Sequence, residues 1–408
     1  MKKILIFLLL FFVCFPFIQL IPSESYNQPY YIFVAAIVFI FYFSSFGFKS
    51  KLPFQIGFVF LLIGFASFLL FCFPYTDVQD YKSLLTYISF YLIPLVTYFL
   101  CKHHKEYLIK FLKISIVSWF VVGFVQSYLY QDFLNFLMGE FSSHSIVAGQ
   151  GGRGVIGLAP EPTHYGFHIV LLGIGLYSLS TNKLFLILSF TQAFVFAKSS
   201  SALLAIALGG VFYLIFHKKL VSVVLALICL VIYFSSGFFI NLLDQFVSEE
   251  SSRIITMVVF FFQNPTDLFL TDTSLNARIG GLYLTFQTVF EDFFLPHSIS
   301  HKAWLKETIK LLQENQWLLV LSDSQPPSGI GSVLFQIGFL FFPYLFIFIR
   351  SIYKVVRIVP RNIFAYSVFV IGLSQYSLVS GDIGLVFGIF LYLSLEKNKK
   401  GNSELHVI

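Results

Sequence analysis

Residues 30–47 read YYIFVAAIVFIFYFSSFG, a run of eighteen residues without one charged side chain. A helix of about 20 apolar residues is long enough to cross the hydrocarbon core of a bilayer. The 408-residue chain is 57% hydrophobic and only 11% charged, and its mean hydropathy is +0.84. Soluble domains carry about 25% charged residues, so this chain has too few to cover a water-facing surface. The composition predicts an all-α polytopic membrane protein.

Apolar runs of this kind recur along the chain, and we predict about twelve membrane helices. They lie near residues 3–21, 30–47, 54–73, 84–101, 114–130, 164–180, 183–197, 201–216, 220–239, 330–349, 362–379 and 383–395. Residues 1–239 then hold helices 1–9, including an outer segment at 131–163. Residues 240–329 form a large outer loop with short helices of its own, and residues 330–408 hold helices 10–12 and a cytoplasmic tail.

The distribution of Lys and Arg predicts the orientation of these helices. With both termini in the cytoplasm, the inner segments carry 18 of the 26 Lys and Arg residues. Positive charge is enriched on the cytoplasmic side of membrane helices, so the net charge of +6 is an orientation signal. The basic residues are scattered over short inner loops, which gives no support for nucleic-acid binding.

One stretch, GGRGVIGLAPEPTHYGFH at residues 151–168, combines glycines with several ionisable side chains. Pro162 suits the first position of a helix, which places Glu161 at or near the cap. Four side chains then share one helix face at spacings i, i+3, i+4 and i+7: Glu161, His164, Tyr165 and His168. Such a cluster at a membrane helix favours a functional site. The alternative is structural, with Glu161 as a cap and Arg153 as its ion-pair partner.

The pattern Arg-x-x-x-Gly-Leu-x-x-Glu-Pro-Thr-x-x-Gly at residues 153–166 resembles a motif of Wzy-type O-antigen polymerases. These belong to the wider O-antigen polymerase and ligase superfamily. The predicted architecture agrees, with about twelve spans and a large outer loop between late helices. Within that loop, Asn276-Ala277-Arg278 looks like the family's loop arginine region. Residues 329–338 look like its re-entry helix.

The resemblance implies a metal-independent glycosyltransferase without a cofactor. It would polymerise oligosaccharide repeat units carried on undecaprenyl pyrophosphate, at the periplasmic face of the bacterial inner (cytoplasmic) membrane. The product would be O-antigen, as in lipopolysaccharide biosynthesis, or a related surface polysaccharide. The implied partners are the lipid-linked glycan donor and acceptor, the lipid bilayer and a chain-length regulator.

The implied chemistry needs cations that hold the departing pyrophosphate and a base that takes the proton of the attacking hydroxyl. Arginine suits the first role through its paired N–H groups. The candidates for it are Arg153 and Arg278, followed by Arg253 and Lys198. Glu161 is the candidate base, with His164 as the alternative. Tyr165 and His168 are candidates for binding or orienting sugar.

Two other functions stay open at this point. An O-antigen ligase would use a catalytic histidine in the large loop, where His297 and His301 could serve. As a metal pair these histidines lack a third ligand with clear spacing, so we predict no metal site. A polysaccharide flippase would place charges midway along several helices, whereas the ionisable residues here gather near the outer face. Asp382, after Gly381, is interpreted as a turn residue.

Overall fold

The structure is a computed structural model that describes residues 2–20, 30–46, 64, 81–138, 154–217, 269–270, 273–321, 326, 329–358, 363–372 and 380–404. Throughout these ranges the chain forms helices and turns without a β-strand, which confirms the predicted all-α class. The α-helices are α1 (Lys2–Cys14), α2 (Tyr30–Phe46), α3 (Tyr81–Tyr128), α4 (Pro162–Ser180), α5 (Lys183–Thr191), α6 (Ser200–His217), α7 (Thr273–Glu291), α8 (His301–Glu314), α9 (Gly329–Ile337), α10 (Phe342–Ile358), α11 (Ile363–Gly372) and α12 (Gly381–Glu404). A π-helix (Gln192–Phe196) follows α5, and a 3₁₀-helix (Gly338–Phe341) joins α9 to α10.

Two helical stretches are long and apolar enough to cross a membrane, Tyr87–Tyr128 and Gly329–Arg357. Other apolar helices in the described ranges have 10–17 residues. The predicted spans at 54–73, apart from Gly64, and at 220–239 lie outside the described residues. The count of twelve spans therefore stays a prediction.

The predicted inner segment 102–113 is helical and lies within α3. Its backbone departs from helical geometry at His104, where φ is −139° and ψ is 35°. Each part, residues 81–103 and 105–128, is about as long as the ~20 residues that one span requires. The kink at His104 therefore lies in the segment that the sequence predicted to connect two membrane spans.

Helix α4 lies at the centre of the described bundle. Nearly all of its side chains from Tyr165 to Leu179 are buried, and it packs against α3, α5, α6 and α12. Because the part of α4 from Ile169 to Leu179 carries no ionisable side chain except the phenol of Tyr177, other helices can surround it without burying unpaired charge. The first turn of α4 is the Glu-Pro-Thr motif, so this helix connects the motif to the core.

Helix α12 packs closely on α3 through two glycines four residues apart. A Cβ atom at Gly384 would lie 2.9 Å from the Ile93 side chain, and one at Gly388 would lie 2.6 Å from the carbonyl oxygen of Pro94. Small residues at this spacing let helix backbones approach in membrane proteins. This contact fixes the start of α12, and with it Asp382, beside the central helix.

Candidate functional site

The motif helix begins where the sequence predicted. Pro162 is the first residue of α4, and Glu161 occupies the N-cap position with extended backbone angles of φ −145° and ψ 153°. The Glu161 side chain makes no capping hydrogen bond and is half-buried. The structure therefore does not support the interpretation of Glu161 as only a cap, and its carboxylate can serve another group.

His164 follows one turn into α4 and is half-buried. Its ring lies 5.8 Å from the ring of Phe17, between centroids. The charges of both Glu161 and Arg278 act on the His164 imidazole. Arg278 is 114 residues further along the chain, so the fold brings together two of the sequence-predicted groups, the base candidates and a loop arginine.

Arg278 comes from the second turn of α7 and is also half-buried. One guanidinium nitrogen donates a hydrogen bond to the hydroxyl oxygen of Ser201. Ser201 lies in the first turn of α6 and is 8% exposed. Three helices thus contribute to one cluster, which we call the motif cluster: Glu161, His164, Ser201 and Arg278.

The second turn of α4 lies directly against Ser199, the residue that precedes α6. A Cβ atom at Gly166 would lie only 2.5 Å from the Cβ of Ser199. The Ser199 hydroxyl accepts a hydrogen bond from the backbone N–H of Ala202 at 3.3 Å and so caps α6. Helix N-termini carry unpaired N–H groups and a partial positive charge, and both favour a bound anion. Two such termini beside a guanidinium form a setting suited to phosphate.

The chain before the motif is attached to the same end of the bundle. The N–H of Val155 donates to the carbonyl oxygen of Phe196 at 2.9 Å, and a Cβ atom at Gly154 would lie 2.2 Å from the carbonyl oxygen of Ala197. Lys198 follows, exposed and with a left-handed φ of 45°. Lys198 therefore lies at this end of the bundle, whereas Arg153 and Arg253 lie outside the described residues.

Tyr165 is closed to solvent, with no exposed surface. Its hydroxyl oxygen lies 3.0 Å from Oε1 of Gln192 and 3.2 Å from the carbonyl oxygen of Trp119. Gln192 begins the π-helix. Tyr165 thus joins α4 to α3 and to the π-helix, and its sugar contact stays a prediction.

His168 is likewise fully buried, and both of its ring nitrogens have protein partners. Nδ1 lies 2.8 Å from Oδ2 of Asp382, and Nε2 lies 2.8 Å from the carbonyl oxygen of Cys14. Asp382 is fully buried as well, and its Oδ1 accepts hydrogen bonds from the Ser380 hydroxyl and the Ile383 N–H. These contacts join α4 to α12 and to the end of α1, and the sugar contact of His168 stays a prediction.

Asp382 is more than the turn residue that the sequence suggested. Its Oδ1 accepts a hydrogen bond from the N–H of Ile383 in the first turn of α12. Its Oδ2 joins that helix to α4 and, through His168, to the end of α1. The signal that could have revealed it is a carboxylate at the edge of an apolar run, because such a group needs a partner. The sequence offered no means of choosing that partner.

The large-loop histidines lie at another place. His297 Nε2 is 2.8 Å from Oδ2 of Asp292, and its ring stacks on Phe335 with centroids 4.3 Å apart. Asp292 directly follows α7, so its position is about 20 Å along that helix from Arg278. His301 begins α8. His297 thus lies near the far end of α7 from Arg278.

The described residues hold no group of three His, Cys, Asp or Glu side chains arranged to bind a metal ion. Helix α8 is amphipathic, and its apolar side is buried, with Trp304 against Phe335 at 5.2 Å between ring centroids.

Comparison of the chain with protein-family models, curated proteins and solved structures finds no match.

Proposed function

We propose that this chain is a multi-spanning protein of the bacterial inner membrane that polymerises undecaprenyl-pyrophosphate-linked oligosaccharide repeat units at the periplasmic face. One observation carries the proposal, the convergence of Arg278 with Glu161 and His164 beside the N-termini of α4 and α6. A cation, two helix N-termini and a base candidate are the groups that glycosyl transfer from a pyrophosphate requires.

In this reaction a hydroxyl of the incoming unit attacks the anomeric carbon of the donor sugar. The bond from that carbon to the pyrophosphate oxygen breaks, and the lipid pyrophosphate departs with the bonding electron pair. Arg278 and the first-turn N–H groups stabilise the charge on the departing oxygen. The hydroxyl proton passes to the base, so a new glycosidic bond replaces the old one.

Glu161 is the first candidate for the base, because it lies at the N-terminus of α4 and its carboxylate makes no capping hydrogen bond. His164 lies one turn deeper, and the charges of both Glu161 and Arg278 act on its imidazole. There it can orient Glu161 or take the proton itself. Both possibilities keep the chemistry within the motif cluster.

The contact between Arg278 and Ser201 gives this guanidinium a defined direction. A lysine could supply the charge at this position but not the paired N–H geometry of the guanidinium. The ligase alternative has less support, since the partner of His297 lies at the far end of α7 from Arg278.

The test is polymerisation in cells that carry the matching repeat unit, followed as a ladder of chain lengths on a gel. We expect Arg278→Ala to abolish the ladder and to leave single lipid-linked units, and Arg278→Lys to restore it poorly. Glu161→Gln should lower the rate by about 10²- to 10⁴-fold. Arg357→Ala is the matched control, because Arg357 is exposed at the end of α10.

Membrane levels of each variant must equal those of the wild type for the comparison to hold. A normal ladder from Arg278→Ala would overturn the anion site. If His164→Gln is inactive and Glu161→Gln is near wild type, the roles of the two residues are reversed. A full ladder from both of these variants would make the motif cluster structural.

A further inference from the structure

A groove of about 510 Å³ runs along the outer side of the second part of α3. Its walls come from α3, from the turn at residues 131–138 and from Phe185 of α5. Val117 and Val121 form part of the floor and are 44% and 49% exposed. The groove is separate from the motif cluster, and none of the residues in that cluster lines it.

The dimensions of the groove match one lipid chain. It extends along α3 from Lys113 to Val122, which is about 14 Å at the helical rise. Half of the hydrocarbon core of a bilayer is about 15 Å thick. A methylene group is comparable in volume to a water molecule, at ~30 Å³, so the groove accommodates on the order of 17 methylenes. Length and volume therefore both agree with a single acyl chain.

One end of the groove is closed by a strained turn. Leu134 lines this end with a left-handed φ of 62°, which is uncommon for a residue with a branched side chain. Nε2 of Gln126 donates a hydrogen bond to the carbonyl oxygen of Phe133 at 2.8 Å and holds the turn against α3. On the wall, the Ser118 hydroxyl donates to the carbonyl oxygen of Ile114 in its own helix. The closed part of the groove is therefore apolar.

At the other end lies Lys113, the one charged side chain among the described residues that line the groove. Its ammonium group lies 5.7 Å from the centre of the Phe185 ring, and Lys113 is half-buried. The Lys and Arg distribution predicts that this end faces the cytoplasm. The cytoplasmic leaflet is rich in anionic lipids, and they attract basic residues at the membrane surface.

We propose that the groove binds an acyl chain of an anionic phospholipid of the inner leaflet, with the lipid phosphate at Lys113. A cation at one end of an apolar channel is complementary to a molecule with an anionic head and an apolar tail. The inference rests on the membrane location in the proposed function and is independent of the glycan chemistry.

The test uses the full-length protein, purified in detergent and stripped of lipid. It is titrated with phosphatidylglycerol or phosphatidylcholine, both with palmitoyl chains, and bound lipid is measured by native mass spectrometry. The wild type should prefer phosphatidylglycerol. Lys113→Gln should weaken phosphatidylglycerol binding about fivefold and remove the preference. Lys102→Gln, the same charge change at an exposed position outside the groove, should not.

A second pair of variants tests the groove itself. Val117→Trp with Val121→Trp fills the groove and should abolish binding of both lipids. Val211→Trp, at a site on α6 that is also 49% exposed, should leave binding unchanged. Equal affinity of the wild type for the two lipids would overturn the assignment of the head group. Binding that survives the groove-filling variant would overturn the site. Because no glycan is present, either result is distinct from a failure of the polymerase proposal.

Discussion

Removing one member of the buried His168–Asp382 pair should destabilise the protein more than replacing both members with apolar residues. The two side chains are fully buried, with Nδ1 and Oδ2 2.8 Å apart. The second ring nitrogen lies 2.8 Å from the carbonyl oxygen of Cys14, and the carboxylate also accepts hydrogen bonds from Ser380 and Ile383. Every polar atom of the pair thus has a hydrogen-bond partner. Replacing either residue alone leaves the remaining member of the pair, and its other partners, with an unpaired polar atom.

The magnitude follows from what each substitution leaves behind. His168→Phe keeps an aromatic ring between Phe17 and Trp119, whose ring centroids lie 5.8 and 5.0 Å from that of His168. It leaves a buried carboxylate without its imidazole, which should lower the free energy of unfolding by about 3–5 kcal/mol.

Asp382→Leu leaves the ring nitrogen unpaired and should have a similar cost, with about 1 kcal/mol more for the lost hydrogen bonds from Ser380 and Ile383. The double variant replaces a buried pair with two apolar side chains, which is often close to neutral. We therefore expect its loss to be smaller than that of either single variant. It should come mainly from the groups that lose a partner, which are the carbonyl of Cys14, the hydroxyl of Ser380 and the N–H of Ile383.

The assay is unfolding in mixed micelles, followed by tryptophan fluorescence and analysed as a double-mutant cycle. Asp382→Asn is the matched control, because its amide can donate to the ring nitrogen while its oxygen keeps the bonds from Ser380 and Ile383. Its expected cost is about 1 kcal/mol. If the losses of His168→Phe and Asp382→Leu simply add in the double variant, the two residues are not coupled and the reasoning fails.

Two further predictions concern the motif cluster and the orientation. Gly166→Ala should destabilise the protein by about 1–3 kcal/mol and weaken polymerisation, because its Cβ would lie 2.5 Å from that of Ser199. Ser199→Gly should recover part of both losses in the double variant, and an absence of recovery would show that this contact is not the cause. A cysteine introduced beside Arg357 should resist an impermeant thiol reagent in intact cells, whereas one at residues 131–138 should react; the opposite pattern would reverse the predicted orientation.

The sequence by itself determined the helical class and the start of the motif helix. Both depend on local features of the sequence, which are the hydrophobicity of a continuous run and the position of a proline. A run such as residues 30–47 has no charged side chain, and a proline at position 162 favours the first turn of a helix whatever surrounds it. The i, i+3 relation of Glu161 and His164 follows from the helical period alone, once that start is known.

Only the tertiary structure decided which distant groups meet. Arg278 of α7 reaches the hydroxyl of Ser201 at the start of α6, and Asp382 meets His168 because α12 approaches the bundle closely through its glycines. The same packing turned two candidate sugar contacts, Tyr165 and His168, into buried residues with protein partners. The helical period places a side chain on a face, but the packing of other helices decides whether that face meets solvent or protein. That packing depends on the shape and volume of residues far apart in the chain, and no local pattern contains this information.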